Sequence, residues 1–186
     1  HIDTKQSYLH SDCGLEGIIE ISRTCRIPLQ RCVDSTIGTS MTSIQLYHAF
    51  RKGILAPWFK ALPEELKTAE ELIIADRGGL YYSPRVGVHD DVGELDFSSL
   101  YPTLMCKFNL SGETVRCRCC PQSQNEVPEL GYNICEKRRG IVPISLEALL
   151  EKRLRYKQMM KEASNPFLKE IYRKRQAALK WILVCA

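Results

Sequence analysis

At 186 residues the chain can bury a real core and fits one domain, or one domain with an appendage. It contains no run of about 18 apolar residues, and its N-terminus lacks the apolar centre of a signal peptide, so neither a membrane span nor a membrane partner is expected. The expected location is intracellular, in cytoplasm or nucleoid, or in a nucleus. Net charge is only +4, yet Lys137 to Lys180 hold 13 Lys+Arg against four acids, +9 for this segment and −5 for the remainder. A basic third on a mildly acidic body suits a polyanion, either nucleic acid or a nucleoside triphosphate; the plain alternative is a solvated helical face.

In chain order, Leu15, Ile18, Ile19 and Cys25 recur at helical spacing over Gly14 to Cys25, and Pro28 ends that pattern. Thr39 to Lys52 predicts a second helix, with Met41, Ile44, Leu46, Tyr47, Ala49 and Phe50 offered to a core and Gly53 as its stop. Pro57 and Pro63 mark a linker carrying Trp58 and Phe59 as packing residues. Glu70 to Ala75 reads as a strand, Arg77-Gly78-Gly79 as a turn, and Leu80-Tyr81-Tyr82 as resumed β structure. Two helices close the chain, Ile144 to Lys161 and Phe167 onward. Ser164-Asn165-Pro166 separates them, with Pro166 tolerated at a helix start. So short a break makes the pair antiparallel neighbours. Arg153, Lys157 and Lys161 stand four apart on the first helix, and Arg173 and Lys180 seven apart on the second, so each set forms a one-sided basic stripe.

Between these blocks lies Gly93 to Pro102, read as a short strand that turns at once into a helix. Alternation puts Glu94 and Asp96 on one face and Leu95 and Phe97 on the other. Ser98 and Ser99 are placed to cap the helix, whose first backbone N–H groups have no partner within it and can receive an anion. A carboxylate for a cation and N–H groups for phosphate, within five residues, suit a metal–triphosphate complex. Asp91 and Glu94 are further candidate metal ligands, and as acids at a strand entrance they also fit ordinary turn positions.

Nine cysteines are an odd number for a fully paired disulfide framework, and clustered cysteines in a reducing compartment more often bind metal. Cys117, Cys119, Cys120 and Cys135 on a turn-rich segment can enclose zinc or an iron–sulfur cluster, with Cys106 as an alternative ligand. Cys13, Cys25 and Cys32 fit a core.

The run Asp96-Phe97-Ser98-Ser99-Leu100-Tyr101-Pro102 resembles the DxxSLYP signature, motif A, of family B DNA polymerases, and Asn109-Leu110-Ser111 continues as that family does. Other similar pieces follow in order: Ile27-Pro28-Leu29, the helix at Gly38, Arg77-Gly78-Gly79, Gly140-Ile141-Val142-Pro143, Leu149-Leu150-Glu151-Lys152-Arg153, then Arg175-Gln176 and Lys180 at the start of motif B. The resemblance implies an α+β fold: a helical lead-in over 1–60 from the end of the exonuclease region, a partial palm of antiparallel strands and helices over 61–140, and a two-helix antiparallel fingers hairpin over 141–186. It further implies template-directed nucleotidyl transfer from a dNTP to a primer 3′-hydroxyl.

By the same resemblance, Asp96 binds catalytic Mg2+, Phe97, Ser98, Ser99 and Leu100 line the triphosphate site, and Tyr101 lies under the sugar. Arg153, Lys157 and Lys180 hold the triphosphate, and the partners are primer–template DNA and a dNTP. A 4Fe-4S cluster after motif A has precedent in the family, which keeps that cofactor beside Zn2+ for the cysteines. The sequence also departs from the pattern. Motif C, with its second aspartate, does not occur in it, so the chain is expected to be inactive alone and to require a further segment or chain carrying that motif. Val184 and Cys185 stand where motif B has Asn and Ser. Tyr8 and Asp12 match the spacing of an exonuclease motif. The alternative reading is a catalytically degenerate, metal-stabilised module that binds DNA or other replication proteins.

Overall fold

The computed structural model describes residues 7–56, 66–76, 78–79 and 81–185. Its elements are α1 (Tyr8–Cys25), α2 (Leu29–Asp34), α3 (Ile37–Arg51), α4 (Ala69–Ala75), α5 (Leu100–Lys107), β1 (Glu126–Val127), β2 (Tyr132–Asn133), α6 (Ile141–Glu162) and α7 (Pro166–Val184). The described residues are mostly helical with one small antiparallel sheet, in which Glu126 pairs with Asn133 and Val127 with Tyr132. This agrees with the α+β class. The linker around Trp58 and Phe59, together with Arg77 and Leu80, lies outside the described residues. Among those described, no helix is long and apolar enough to cross a membrane.

The core forms where α1, α6 and α7 meet, with α3 closing one side. Ile18, Ile21, Leu146, Leu149, Ala178, Leu179 and Ile182 are wholly buried there, joined by Met41 and Ile44. Of the residues offered by the second helix, Leu46 and Phe50 face solvent instead. Cys13, Cys25 and Cys32 are buried, as expected. In α1, Ser7 caps the first turn by accepting from the His10 N–H at 3.3 Å. At Gly14 the helix breaks (φ 60°, ψ −175°), a conformation that suits glycine. Three residues on, Gly17 lets α1 approach α7 closely: an added Cβ would lie 3.1 Å from the Ala178 Cβ and 2.5 Å from the Cys13 Cβ.

One buried acid joins three helices. The Glu20 carboxylate of α1 is 5% exposed and accepts from Lys152 Nζ at 2.6 Å, Tyr156 Oη at 2.8 Å and Thr24 Oγ1 at 3.1 Å. Arg175 Nε of α7 stands 4.0 Å away. Burial alone would raise its pKa. The hydrogen bonds from Lys152 and Tyr156 outweigh that and hold it below the ordinary glutamate value. The packing of the α6–α7 hairpin onto α1 thus has an apolar body and one charged pin.

The hairpin itself follows the expected pattern. Pro166 opens α7, and Asn165 Oδ1 accepts from the Phe167 N–H at 2.9 Å. Helix α6 starts a turn before the expected Ile144, because tertiary partners receive its first N–H groups. Glu113 Oε1 accepts from Ile141 N at 2.6 Å, and Asn109 Oδ1 from Gly140 N at 2.8 Å.

The expected strands are where the structure differs. Glu70 to Ala75 is helical: Thr68 and Glu71 form a capping box, with Thr68 Oγ1 accepting from Glu71 N at 3.2 Å and Glu71 Oε2 from Thr68 N at 2.7 Å. This local signal and the acidic first turn overrule the apolar run Leu72-Ile73-Ile74. Tyr81-Tyr82 and Gly93 to Phe97 are not strands either. Strand backbone needs a neighbour for its N–H and C=O groups, and no described segment pairs with these. None of the described residues from 66 to 98 is buried.

Two outcomes follow from this packing. Gly17→Ala forces Cys13 or Ala178 to move and is expected to cost about 1–3 kcal/mol, read by chemical denaturation. The Glu20 contribution is complete above the ordinary glutamate pKa and is lost as pH falls through the lowered folded value. Acid unfolding monitored by circular dichroism should accordingly begin in that window, and Glu20→Gln should weaken the pH dependence.

Candidate functional site

A side-chain hydrogen bond from Ser99 ties the segment around Asp96 to the helical body. Ser99 occupies the N-cap position of α5 with φ 51° and ψ 56°, a left-handed conformation that costs a non-glycine residue. Its hydroxyl does not cap the helix, contrary to expectation. It accepts instead from Arg153 Nη1 of α6 at 2.5 Å. Ser98 makes no side-chain cap to the helix, and its carbonyl accepts from Thr103 Oγ1 at 3.0 Å. The start of α5 is therefore turned towards the basic face of α6.

Between them lies a recess of about 280 Å3 lined by Ser98, Ser99, Thr103, Leu150, Arg153, Leu154 and Lys157. The apolar stems of Leu150 and Leu154 form its wall, and cations stand at its rim. Arg153 Nε is buried without a hydrogen-bond partner, and burial pulls the guanidinium below its usual pKa. The Lys157 pKa is lowered too, first by burial and then by Arg153, Lys161 and Lys180. Three cations of α6 and Lys180 of α7 thus share one electrostatic field, a concentration of positive charge that favours a polyanion.

Arg173 departs from the expected stripe. Its Nε and Nη2 each donate to Glu170 at 2.7 Å, which consumes its charge locally. Arg175 lies over the Tyr156 ring at 5.7 Å, on the core side of the hairpin. Tyr8 and Asp12, one helical turn apart on α1, both engage Trp181 of α7. The two rings meet edge-on at 5.8 Å, and Trp181 Nε1 donates to Asp12 Oδ2 at 2.5 Å.

Asp96 is exposed, as are Phe97, Leu100 and Tyr101, the latter 72% accessible. Neither Glu94 nor Asp91 builds a three-ligand group around Asp96: among the described residues the cysteines form the single such group. Asp96 supplies one hard oxygen ligand of the kind magnesium takes, and a complete site needs further oxygens.

The cysteine expectation was specific, and the structure brings those four together. The sulfurs of Cys117, Cys119, Cys120 and Cys135 lie within 4.8 Å of one another. Asn133 Nδ2 braces the loop, donating to the carbonyls of Cys117 at 3.0 Å and Cys120 at 2.8 Å. Burial would raise the Cys135 pKa, but hydrogen bonds from Cys119 and from the backbone of Arg138 and Lys137 bring it below the usual thiol value. Cys106 is not a substitute ligand. It is buried against α6, where Sγ donates to the Pro143 carbonyl at 3.6 Å and burial pushes its pKa to about 11.

In the sequence Asn109 stands out only as part of the family run and Glu113 not at all, and neither carries a role there. Asn109 Nδ2 donates to the carbonyls of Cys135 and Arg138, each at 2.9 Å, while its Oδ1 receives Gly140 N. It stands just past α5 with φ 56°, a left-handed position that Asn tolerates. Asn-Leu-Ser after a helix carries that signal only faintly.

Ser98 and Ser99, next to Asp96 in the chain, thus share a small recess with the cations Arg153 and Lys157 of α6. The comparisons with known proteins identify the family. The family model for "DNA polymerase family B" matches residues 27–185. "DNA polymerase 2" of Saccharolobus solfataricus is 34% identical over 176 residues, 95% of this chain and 25% of the relative. A DNA polymerase of Pyrococcus horikoshii is 29% identical over 161 residues, covering 87% of this chain and 13% of the relative. The solved structure of the family B DNA polymerase of Pyrobaculum calidifontis matches 92% of this chain with a TM-score of 0.62 and 26% identity, and the chain spans 22% of that structure. The chain belongs to DNA polymerase family B. It spans a quarter or less of the length of these relatives.

Burial, Arg153 and Lys161 lower the Lys157 pKa and Lys180 adds to them, so Lys180→Ala should raise it slightly while the larger contributions of burial, Arg153 and Lys161 remain. A pH titration of lysine side chains by NMR measures this directly.

Proposed function

We propose that this chain is the palm-and-fingers portion of a DNA-directed DNA polymerase, with 1–60 as helical lead-in, 61–140 as partial palm and 141–186 as fingers hairpin. The observation that carries the reading is the contact between Ser99 of the DxxSLYP segment and Arg153 of the basic helix, across a recess rimmed by Lys157. In this reading Arg153, Lys157 and Lys180 hold the triphosphate of an incoming dNTP. Ser98, Ser99 and Leu100 position it from the start of α5, where unpaired helix N–H groups favour phosphate. Phe97 belongs to the same lining, and Tyr101 lies beneath the sugar.

Asp96 would hold magnesium, which when bound neutralises charge on the phosphate oxygens. Phosphoryl transfer is catalysed mainly by positioning and charge stabilisation, and a cationic clamp together with a metal-binding carboxylate would provide both elements. A second carboxylate, on a further segment or chain carrying motif C, completes the centre on primer–template DNA. The chain alone is then inactive.

A non-catalytic module that binds DNA or replication proteins is favoured by one observation only, Val184 and Cys185 at the Asn and Ser positions of motif B. Equilibrium binding of a Mg–dNTP separates the readings. The polymerase reading expects binding that weakens with added salt and falls about tenfold or more in Arg153→Ala, the loss typical of a charge-assisted hydrogen bond. Unchanged affinity in that variant contradicts the assignment. Primer extension by the isolated chain, abolished by Asp96→Ala, would overturn the expected inactivity.

A further inference from the structure

The sulfur geometry bears on the two metal chemistries that the four cysteines leave open. Cys119 and Cys135 are 3.5 Å apart, Cys119 and Cys120 3.8 Å, and Cys120 and Cys135 3.9 Å, with all four sulfurs inside 4.8 Å. A tetrahedral ion with Zn–S bonds of 2.3 Å spaces its sulfurs by about 3.8 Å. An iron–sulfur cluster binds its thiolates at separate irons around an inorganic core, which spreads them further. We propose that Cys117, Cys119, Cys120 and Cys135 hold a single tetrahedral zinc ion, in a closed site that fixes the crossover from α5 to α6. This deepens the reading of these cysteines as metal ligands and is independent of the polymerase reading.

Three features support a resident ion. The four ligands come from two separate stretches, 117–120 and 135, which two short strands bring back together. Asn133 Nδ2 lies 3.6 Å from Cys117 Sγ while donating to two backbone carbonyls of the same loop, an outer-shell brace of the kind that orients metal ligands. Among ions suited to four thiolates, zinc binds more tightly than ferrous iron, which favours zinc over a mononuclear iron centre. Four thiolates leave no open position for water, so the ion is structural.

Its mechanical reach runs through Asn109. Cys135 N donates to the Thr114 carbonyl at 2.9 Å, and the Cys135 carbonyl accepts from Asn109 Nδ2. The same Asn109 side chain receives Gly140 N at the start of α6. An ion that fixes Cys135 therefore fixes the register between the helix after Asp96 and the helix bearing Arg153.

The test uses the full chain, expressed with both iron and zinc in the medium, purified without oxygen and analysed for metals and sulfide. One zinc per chain is expected, with no iron and no visible absorbance. Replacement by Co2+ should give the spectrum of a tetrahedral tetrathiolate site. Asn133→Ala should weaken zinc affinity by about 10–100-fold, and Cys119→Ser, at the exposed ligand, should weaken it at least as much. Cys185→Ser, outside the cluster, should leave it unchanged. Chelation of the zinc should lower the thermal midpoint. Iron with sulfide, a mononuclear iron centre, or folded protein that binds no metal would each overturn the proposal, and a thermal midpoint indifferent to chelation would overturn its structural role.

Discussion

The arrangement depends on a carboxylate taken out of water. Glu20 is exposed to solvent by only 5%, and a buried charge persists only with partners of its own. Those partners come from the basic hairpin: Lys152 and Tyr156 from α6, with Arg175 of α7 close by. Apolar packing of Ile18, Ile21, Leu149 and Ile182 would hold α1 against the hairpin in many rotations. Hydrogen bonds to one carboxylate select a single rotation, since they are directional and hydrophobic contact is not. Lys152 and Arg153 are adjacent in the chain, so directing Lys152 to Glu20 turns Arg153 about 100° further around α6. There it meets Ser99.

That division of labour explains how a basic segment serves both stability and recognition. The cations of residues 137–180 do not act as one patch. Lys152, Lys174 and Arg175 face the acids of α1, and Arg173 is neutralised by Glu170. Arg153 and Lys157 line the recess, Lys161 and Lys180 act on Lys157 through the same field, and mutual repulsion among these cations is a cost that a bound polyanion would relieve. On the opposite wall, the left-handed backbone of Ser99 is held by its contact with Arg153. Strain at such a position is tolerated where surrounding contacts determine it.

Much of this was legible in the sequence, for identifiable reasons. The α6–α7 hairpin has long apolar periodicity and a Ser-Asn-Pro break, both local signals, and it forms where expected. Three cysteines at close spacing and a fourth fifteen residues on announced a cluster, and the structure assembles those four. Motif A carried the family. What failed were the strands. Leu72-Ile73-Ile74 looks like β structure by residue type, but the Thr68–Glu71 capping box decides the segment for helix. Gly93 to Phe97 alternates correctly, yet alternation states only which faces a strand would have and does not supply a neighbour to pair with. Equally illegible were the long-range polar contacts: Glu20 with Lys152, Glu113 with Ile141, and Asn109 with Cys135 and Gly140. Nothing in the spacing of those residues marks them, because partners distant in sequence leave no period.

The proposal under most direct test is that the start of α5 and the basic faces of α6 and α7 form one triphosphate site. Titrating the isotopically labelled chain with a Mg–dNTP and following every amide by NMR tests it most directly. A triphosphate bound there shifts the amides of Ser98, Ser99, Leu100, Arg153, Lys157 and Lys180 in a concentration-dependent way. Saturable binding that leaves these amides unmoved and shifts others, such as those around Lys107 and Arg138, would contradict it.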